Sequence, residues 1–218
     1  MRFLNVPSEV ATAEIIDSIN RALQAGSALL LVSGGSNIQL AVTVRDGLKI
    51  TNQLTLGLID ERYGPIGHPN SNWAQLLNAG LNPEGLQLLP VMIDDGVGHE
   101  QAAASYRERL QAAIANHNTV IGIFGIGDDG HTSGILPRSP AITATETVIA
   151  FMGHDFPRVT ATPAIMPLIN KAFLVSYGEH KHDQLIRLTE NLSIADQPAQ
   201  ALKQIADLTI YSDLKDND

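Results

Sequence analysis

The 218-residue chain has no cysteine, which excludes both a disulfide framework and a thiolate metal centre. Basic residues are scarce, with 14 Lys and Arg against 23 Asp and Glu, for a formal net charge of −9. That balance argues against nucleic acid or an anionic membrane as a main partner. An anionic small substrate is compatible with it only where the few cations are gathered locally. No segment approaches the length of a membrane span, and the opening MRFLNVPSEVATAE places proline and acids where a secretory leader needs an apolar core. A cytoplasmic protein is expected. Several catalytic signatures are missing as well: there is no H-E-x-x-H pair, no G-x-S-x-G elbow and no Walker lysine. His180 and His182 are two residues apart and would face different ways on a helix, so with His154 they make no metal set. Neither a metal nor a cofactor is expected.

What is present is a well-supplied core. Hydrophobic residues make up 44% and charged residues 17%, and neither a repeat nor a linker divides the chain. Residues 1–218 therefore read as one α/β domain. Strands are expected at 28–32, 54–59, 86–89, 120–124, 148–151, 157–160, 172–177 and 208–211. Helices are expected at 9–25 (capped by Ser8), 38–47, 71–79, 99–115 and after 181, with shorter helical turns at 163–170 and 198–205. The runs Ala28-Leu29-Leu30-Leu31-Val32 and Val120 to Phe124 are apolar on both faces, as in a parallel sheet covered by helices. Arg107, Arg109, His99 and His117, on or beside the 99–115 helix, are expected at the solvated surface.

Polar residues gather where these strands end. After residue 32 comes Ser33-Gly34-Gly35-Ser36-Asn37 and a helix start, a combination whose free N–H groups and dipole suit an anion. After residue 59 comes Asp60-Glu61-Arg62. After residue 124 comes Gly125-Ile126-Gly127-Asp128-Asp129-Gly130-His131, an imidazole beside a carboxylate that can act as a general base. This last stretch spells G-x-G-x-x-G, but Asp128 and Asp129 would repel a pyrophosphate, and Pro137 and Pro140 interrupt any helix that follows. A dinucleotide site is rejected. Carboxyl ends of strands in an open α/β sheet are where ligands bind, so the three loops are expected to share a crevice.

Taken in order, Ser33-Gly34-Gly35-Ser36, Asp60-Glu61-Arg62 with Ser71-Asn72-Trp73, GIGDDGHT at 125–132, Arg158-Val159-Thr160 and Gly178-Glu179-His180-Lys181 resemble the 6-phosphogluconolactonase family. That family belongs with the glucosamine-6-phosphate isomerases/deaminases, and the resemblance spans nearly the whole chain. It implies a Rossmann-like open, mostly parallel sheet with helices on both faces and no dinucleotide. It also implies hydrolysis of a small sugar-phosphate lactone, 6-phosphogluconolactone, by a monomer or small homo-oligomer in the pentose phosphate pathway. On this resemblance His131 is the base that activates water, and Asp129 orients it. Asp60 and Arg62 line the sugar pocket. Gly34, Gly35, Ser36 and Asn37, with Arg158 and Lys181, hold the 6-phosphate.

The chain departs from the family pattern at two places. Asn37-Ile38 replaces the usual Thr-Pro after Ser36, and Gly134-Ile135-Leu136 replaces a side chain followed by Leu-Phe. Two rival readings remain. An aminosugar-phosphate isomerase/deaminase would have an aromatic residue at 62 and a glutamate before Pro137, where Arg62 and Leu136 stand. A sugar-phosphate-binding protein without turnover is supported only by the altered phosphate loop. The group that stabilises the oxyanion is not identified by these motifs.

Overall fold

The structure is a computed structural model that describes residues 1–49 and 52–215. In chain order the elements are β1 (Arg2–Asn5), α1 (Ser8–Ala25), β2 (Ala28–Val32), α2 (Asn37–Asp46), β3 (Leu54–Leu58), β4 (Asp60–Arg62), α3 (Asn72–Asn78), β5 (Gln87–Leu89), α4 (His99–Asn116), β6 (Thr119–Phe124), β7 (Val148–Met152), β8 (Pro157–Ala161), β9 (Lys171–Val175), α5 (His182–Thr189) and β10 (Asp207–Ser212). Short 3-10 turns cover Pro140–Ile142, Pro163–Leu168, Glu179–Lys181 and Pro198–Gln204. Among the described residues no helix is long and apolar enough to cross a membrane.

Seven strands form one sheet in the order β1-β10-β9-β6-β2-β3-β5, every pair parallel. The expected open α/β architecture is present. From β2 the chain winds outward through β3 to β5, and from β6 it winds the other way through β9 to β10. Right-handed crossovers then place α1, α2 and α3 on one face and α4 and α5 on the other. β2 and β6 are neighbours, paired from Ala28↔Thr119 to Val32↔Ile123, so the winding reverses between them. Both strands lie in the core: all five residues of β2 and Val120, Ile121, Ile123 and Phe124 of β6 are buried. Each such aliphatic side chain contributes about 1.5–3 kcal/mol on burial. The one small residue of this run has a packing cause. A Cβ on Gly122 would lie 2.3 Å from the ring of Phe124, so the glycine makes room for the phenylalanine.

A second sheet, β4-β8-β7, is antiparallel and was not foreseen. Its register Asp60↔Thr160, Glu61↔Val159 and Arg62↔Arg158 places two of the expected site arginines directly opposite each other. Glu61 anchors this sheet. It is 1% exposed and accepts from the N–H groups of Arg62 (2.8 Å), Asn72 (2.6 Å) and Trp73 (3.0 Å) and from Ser71 Oγ (2.9 Å). Burial pushes its carboxyl up, and those donors pull it back. Ser71 Oγ also accepts from Ala74 N, so the α3 start carries a side-chain cap and a buried carboxylate.

Several expectations are corrected. Ser8 is the first residue of α1 rather than its cap, a position taken by Pro7, and the carbonyl of Ser8 accepts from Thr12 Oγ1. Arg109 is not a free surface charge: it donates to the carbonyls of Pro90 (2.6 Å) and Val91 (2.8 Å) and lies over the Tyr106 ring. His99 is bonded to the Arg158 carbonyl at 2.8 Å. His117 bridges Ala113 O and Thr55 Oγ1. Long polar side chains here tie loops to the sheet, a role that helical spacing alone does not reveal.

Candidate active site

The site opens at the carboxyl ends of β2 and β6, where the winding reverses. The loop after β2 is pinned by Ser33 N donating to Ile123 O (3.0 Å). Its Gly34 is required sterically, because a Cβ there would sit 2.2 Å from the Asn72 amide oxygen, and Gly35 has φ +68°. Asn37 is buried, and its amide donates to Ser33 Oγ at 3.0 Å. Its amide therefore braces this loop, and the residue does not line the cavity described below.

The loop after β6 folds back on itself. Gly127 N donates to His131 O (2.8 Å) and Gly130 N to Gly127 O (2.9 Å). Asp129 Oδ1 accepts from the His131 backbone N–H (3.0 Å) and pairs with His131 Nδ1 at 2.5 Å. The imidazole lies flat against Gly127, where a Cβ would fall 2.1 Å from Nδ1, so only glycine leaves room for the ring. A chain of buried amides braces this loop: Gln184 Nε2 donates to Asp128 O (2.9 Å), and Gln197 Nε2 donates to the Gln184 carbonyl (2.8 Å). Ala199 N donates to Gly130 O at 3.0 Å.

These loops and the second sheet enclose a cavity of about 400 Å³. It is lined by Gly34, Gly35, Ser36, Asp60, Arg62, His131, Arg158 and Lys181, all expected from the sequence. Asn72, Ser133, Asp155 and His180, which were not expected as site residues, also line it, together with Ser33 of the anion loop. Asp129 stands one step back, behind the imidazole. Asn72 lay within a recognised motif, and Asp155 precedes Arg158 by three residues, a spacing that lets a turn pair them. Ser133 carries no pattern that marks it.

The charges are interleaved. Arg158 is buried and its Nη2 binds both oxygens of Asp155, at 2.9 and 2.8 Å, while Nη1 lies 4.0 Å from Asp60 Oδ2. Lys181 Nζ is 2.5 Å from Asp128 Oδ1. Arg62 donates to Asn70 O and lies 5.8 Å from the Phe156 ring centroid. Both expected phosphate cations are thus held by carboxylates of this chain. Burial pushes the Asp60 carboxyl up, against the pull of Arg62 and Arg158. The Lys181 hydrogen bond holds Asp128 below the ordinary carboxylate value. Burial pulls Asp129 upward, but the His131 N–H, charge and ring bond outweigh it and leave its pKa low. In the same way the Arg158 fork outweighs burial at Asp155.

Nδ1 of His131 is engaged by a carboxylate, so the proton there is fixed and Nε2 is the ring's free basic nitrogen. A base, three cations and buried acceptors around one crevice can bind a phosphorylated polyol and deliver water to it.

Comparison with known proteins agrees with this fold. Residues 7–211 match the family described as glucosamine-6-phosphate isomerases/6-phosphogluconolactonase. The 6-phosphogluconolactonase of Rattus norvegicus is 30% identical over 76% of this chain and 70% of its own length. That of Pseudomonas aeruginosa is 29% identical over 91% and 87%. The crystal structure of a 6-phosphogluconolactonase from Shewanella baltica superposes with a TM-score of 0.80 over 97% of this chain and 96% of that one, at 18% identity, a likeness of fold. The fold, the order of the motifs and the near-complete match place this chain in the glucosamine-6-phosphate isomerase/6-phosphogluconolactonase family.

Proposed function

We propose that this chain hydrolyses 6-phospho-D-glucono-1,5-lactone to 6-phosphogluconate, as a soluble enzyme of the cytoplasm, with a water activated by His131. The observation that carries the reading is the His131–Asp129 pair: Nδ1 is given to the carboxylate, and the ring lines the same cavity as Arg158 and Lys181. Nε2 takes a proton from water as its oxygen attacks C1, and the carbonyl becomes an oxyanion. When the oxyanion collapses, the C1–O5 bond breaks and the ring oxygen recovers the proton from Nε2. A δ-lactone is an activated ester, so a positioned base and a donor for the oxyanion suffice.

The 6-phosphate is assigned to the Gly35–Ser36 loop with Arg158 and Lys181. A dianion there competes with Asp155 and Asp128 for the two cations, so binding exchanges carboxylate partners for phosphate oxygens. Asp60, Asn72 and Arg62 are assigned to the sugar hydroxyls.

The isomerase/deaminase branch of the family is disfavoured by Leu136. It is buried and stands immediately before Pro137, where that branch would need a carboxylate. The test is a coupled assay of 6-phosphogluconate formation, corrected for spontaneous ring opening, run beside an ammonia-release assay on glucosamine 6-phosphate. A rate above spontaneous opening with no ammonia is expected. Ammonia release without lactone hydrolysis would reverse the assignment.

A further inference from the structure

We infer that Ser133 is a catalytic residue whose hydroxyl donates to the lactone carbonyl oxygen as that oxygen becomes an anion. The inference rests on the lactonase reading and supplies the one group that reading leaves open.

Ser133 is buried and lines the cavity, yet its Oγ has no hydrogen-bond partner. Its φ is +53°, a left-handed conformation that glycine or asparagine would adopt at less cost. A desolvated hydroxyl without a partner and a strained backbone both oppose folding, and they coincide at one residue two positions beyond the base. The turn that carries it is held closed by Ile135 N donating to Thr132 O (3.0 Å). It is also pressed onto the second sheet: a Cβ on Gly134 would lie 2.7 Å from Thr160 Oγ1 and 3.0 Å from Asp60 Cβ. The glycine that replaces the family's usual side chain is what permits that approach, and it fixes Ser133 against the wall of the site.

The substrate's requirements then select the role. Sugar hydroxyls can donate to the unpartnered oxygens Asp60 Oδ1 and Asn72 Oδ1. The lactone carbonyl only accepts. Among the described residues that line the cavity, the unpartnered buried side-chain donors are Ser133 Oγ, Arg62 Nε and Arg158 Nε. The two arginines face each other across β4 and β8, and the head of Arg158, held by Asp155, is the one assigned to the 6-phosphate. Ser133 alone shares the loop of His131, so it alone is carried with the base toward the carbon that water attacks. No hydrogen bond joins Ser133 to His131, so the hydroxyl is not activated as a nucleophile.

The experiment measures kcat, KM, the pH–rate profile and Tm for wild type, Ser133→Ala and Ser133→Gly on 6-phosphogluconolactone, with spontaneous opening subtracted. Loss of one oxyanion donor lowers kcat by about 10²–10³-fold. Both variants are expected to show that loss, with KM within about twofold, the acid limb of the profile unmoved, and Tm unchanged or raised because the unpartnered hydroxyl is gone. Ser133→Gly should be the more stable of the two, since it also relieves the backbone. A kcat close to wild type in Ser133→Ala overturns the assignment. So does a loss of activity that follows a fall in Tm in both variants, or one that moves the acid limb. A wild-type rate no faster than spontaneous opening removes the lactonase reading itself, and this inference with it.

Discussion

Asp128 and Asp129 are consecutive, and each holds a basic side chain at 2.5 Å, yet the two pairs are built differently. Asp129 binds His131 within one turn of chain, and its oxygen also accepts the backbone N–H of the same residue. The ring is fixed further by Gly127 beneath it. Asp128 reaches Lys181 across 53 positions, from a side chain that is 74% exposed against 48% for Asp129. Water and salt screen the outer pair, whereas the inner pair is set by the backbone. One loop thus presents a rigid half and an exchangeable half; on the proposed function the first does the chemistry and the second releases a cation to an incoming phosphate.

The largest effect should come from the rigid half. His131→Ala should lower kcat by about 10²–10⁴-fold, the usual contribution of a positioned base. KM for the phosphorylated lactone should barely change, and the acid limb of the pH–rate profile should disappear. Steady-state kinetics after subtraction of spontaneous opening decides it; a mutant with near-wild-type kcat and the same limb makes His131 an ordinary loop residue. Asp129→Asn should cost less, about 10–10²-fold in kcat, because the amide oxygen can still accept both His131 N–H groups while the charge is lost. The pKa of Asp129 lies below the ordinary carboxylate value, so its pair is intact above that value and is lost only as pH falls further. Accordingly the acid limb should survive in Asp129→Asn. Its disappearance there would assign the limb to the carboxylate.

The exchangeable half should respond in KM. Lys181→Ala is expected to raise KM for the phosphorylated lactone by about tenfold, near the lower end of the 1.5–3 kcal/mol of a charge-assisted hydrogen bond, because Lys181 gives up Asp128 to bind. Unphosphorylated gluconolactone should be affected much less, and equal losses on both substrates would remove Lys181 from the phosphate site. The smallest effect is the most telling for the contrast between the two pairs. Asp128→Asn frees Lys181 from an exposed pair worth about 0.2–1 kcal/mol. KM should therefore fall by up to about fivefold with kcat unchanged, and the gain should shrink as salt is added. A drop in kcat instead would mean that both aspartates serve the base.

The parallel sheet was legible because β2 and β6 are apolar on both faces, and the crevice because glycines and charges follow directly where those strands stop. The antiparallel sheet was not, because β4 is the polar triplet Asp60–Arg62 and becomes a strand only by pairing with residues a hundred positions away. β1 escaped notice for the same reason: four mixed residues have no period of their own. Among the site residues, placement was readable from motif order, but pairing was not. That Lys181 and Arg158 sit on acids of their own chain depends on how distant loops pack and on a turn at Asp155. The bond from Asn37 to Ser33 was missed although its signal is local: Ser33 is four residues back, within reach of an amide.

β1 lies at one edge of the seven-stranded sheet with β10 as its neighbour, Arg2 opposite Thr209 and their side chains bonded at 3.0 Å. During synthesis β1 has nothing to pair with until β10 emerges. The same holds for the base. By residue 181 every side chain assigned to binding or proton transfer has been made, yet Gln184, Gln197 and Ala199, which brace the His131 loop, have not. A ribosome paused at that point carries the assigned groups and no mould to hold them, so on the proposed function catalysis waits for the chain beyond residue 181.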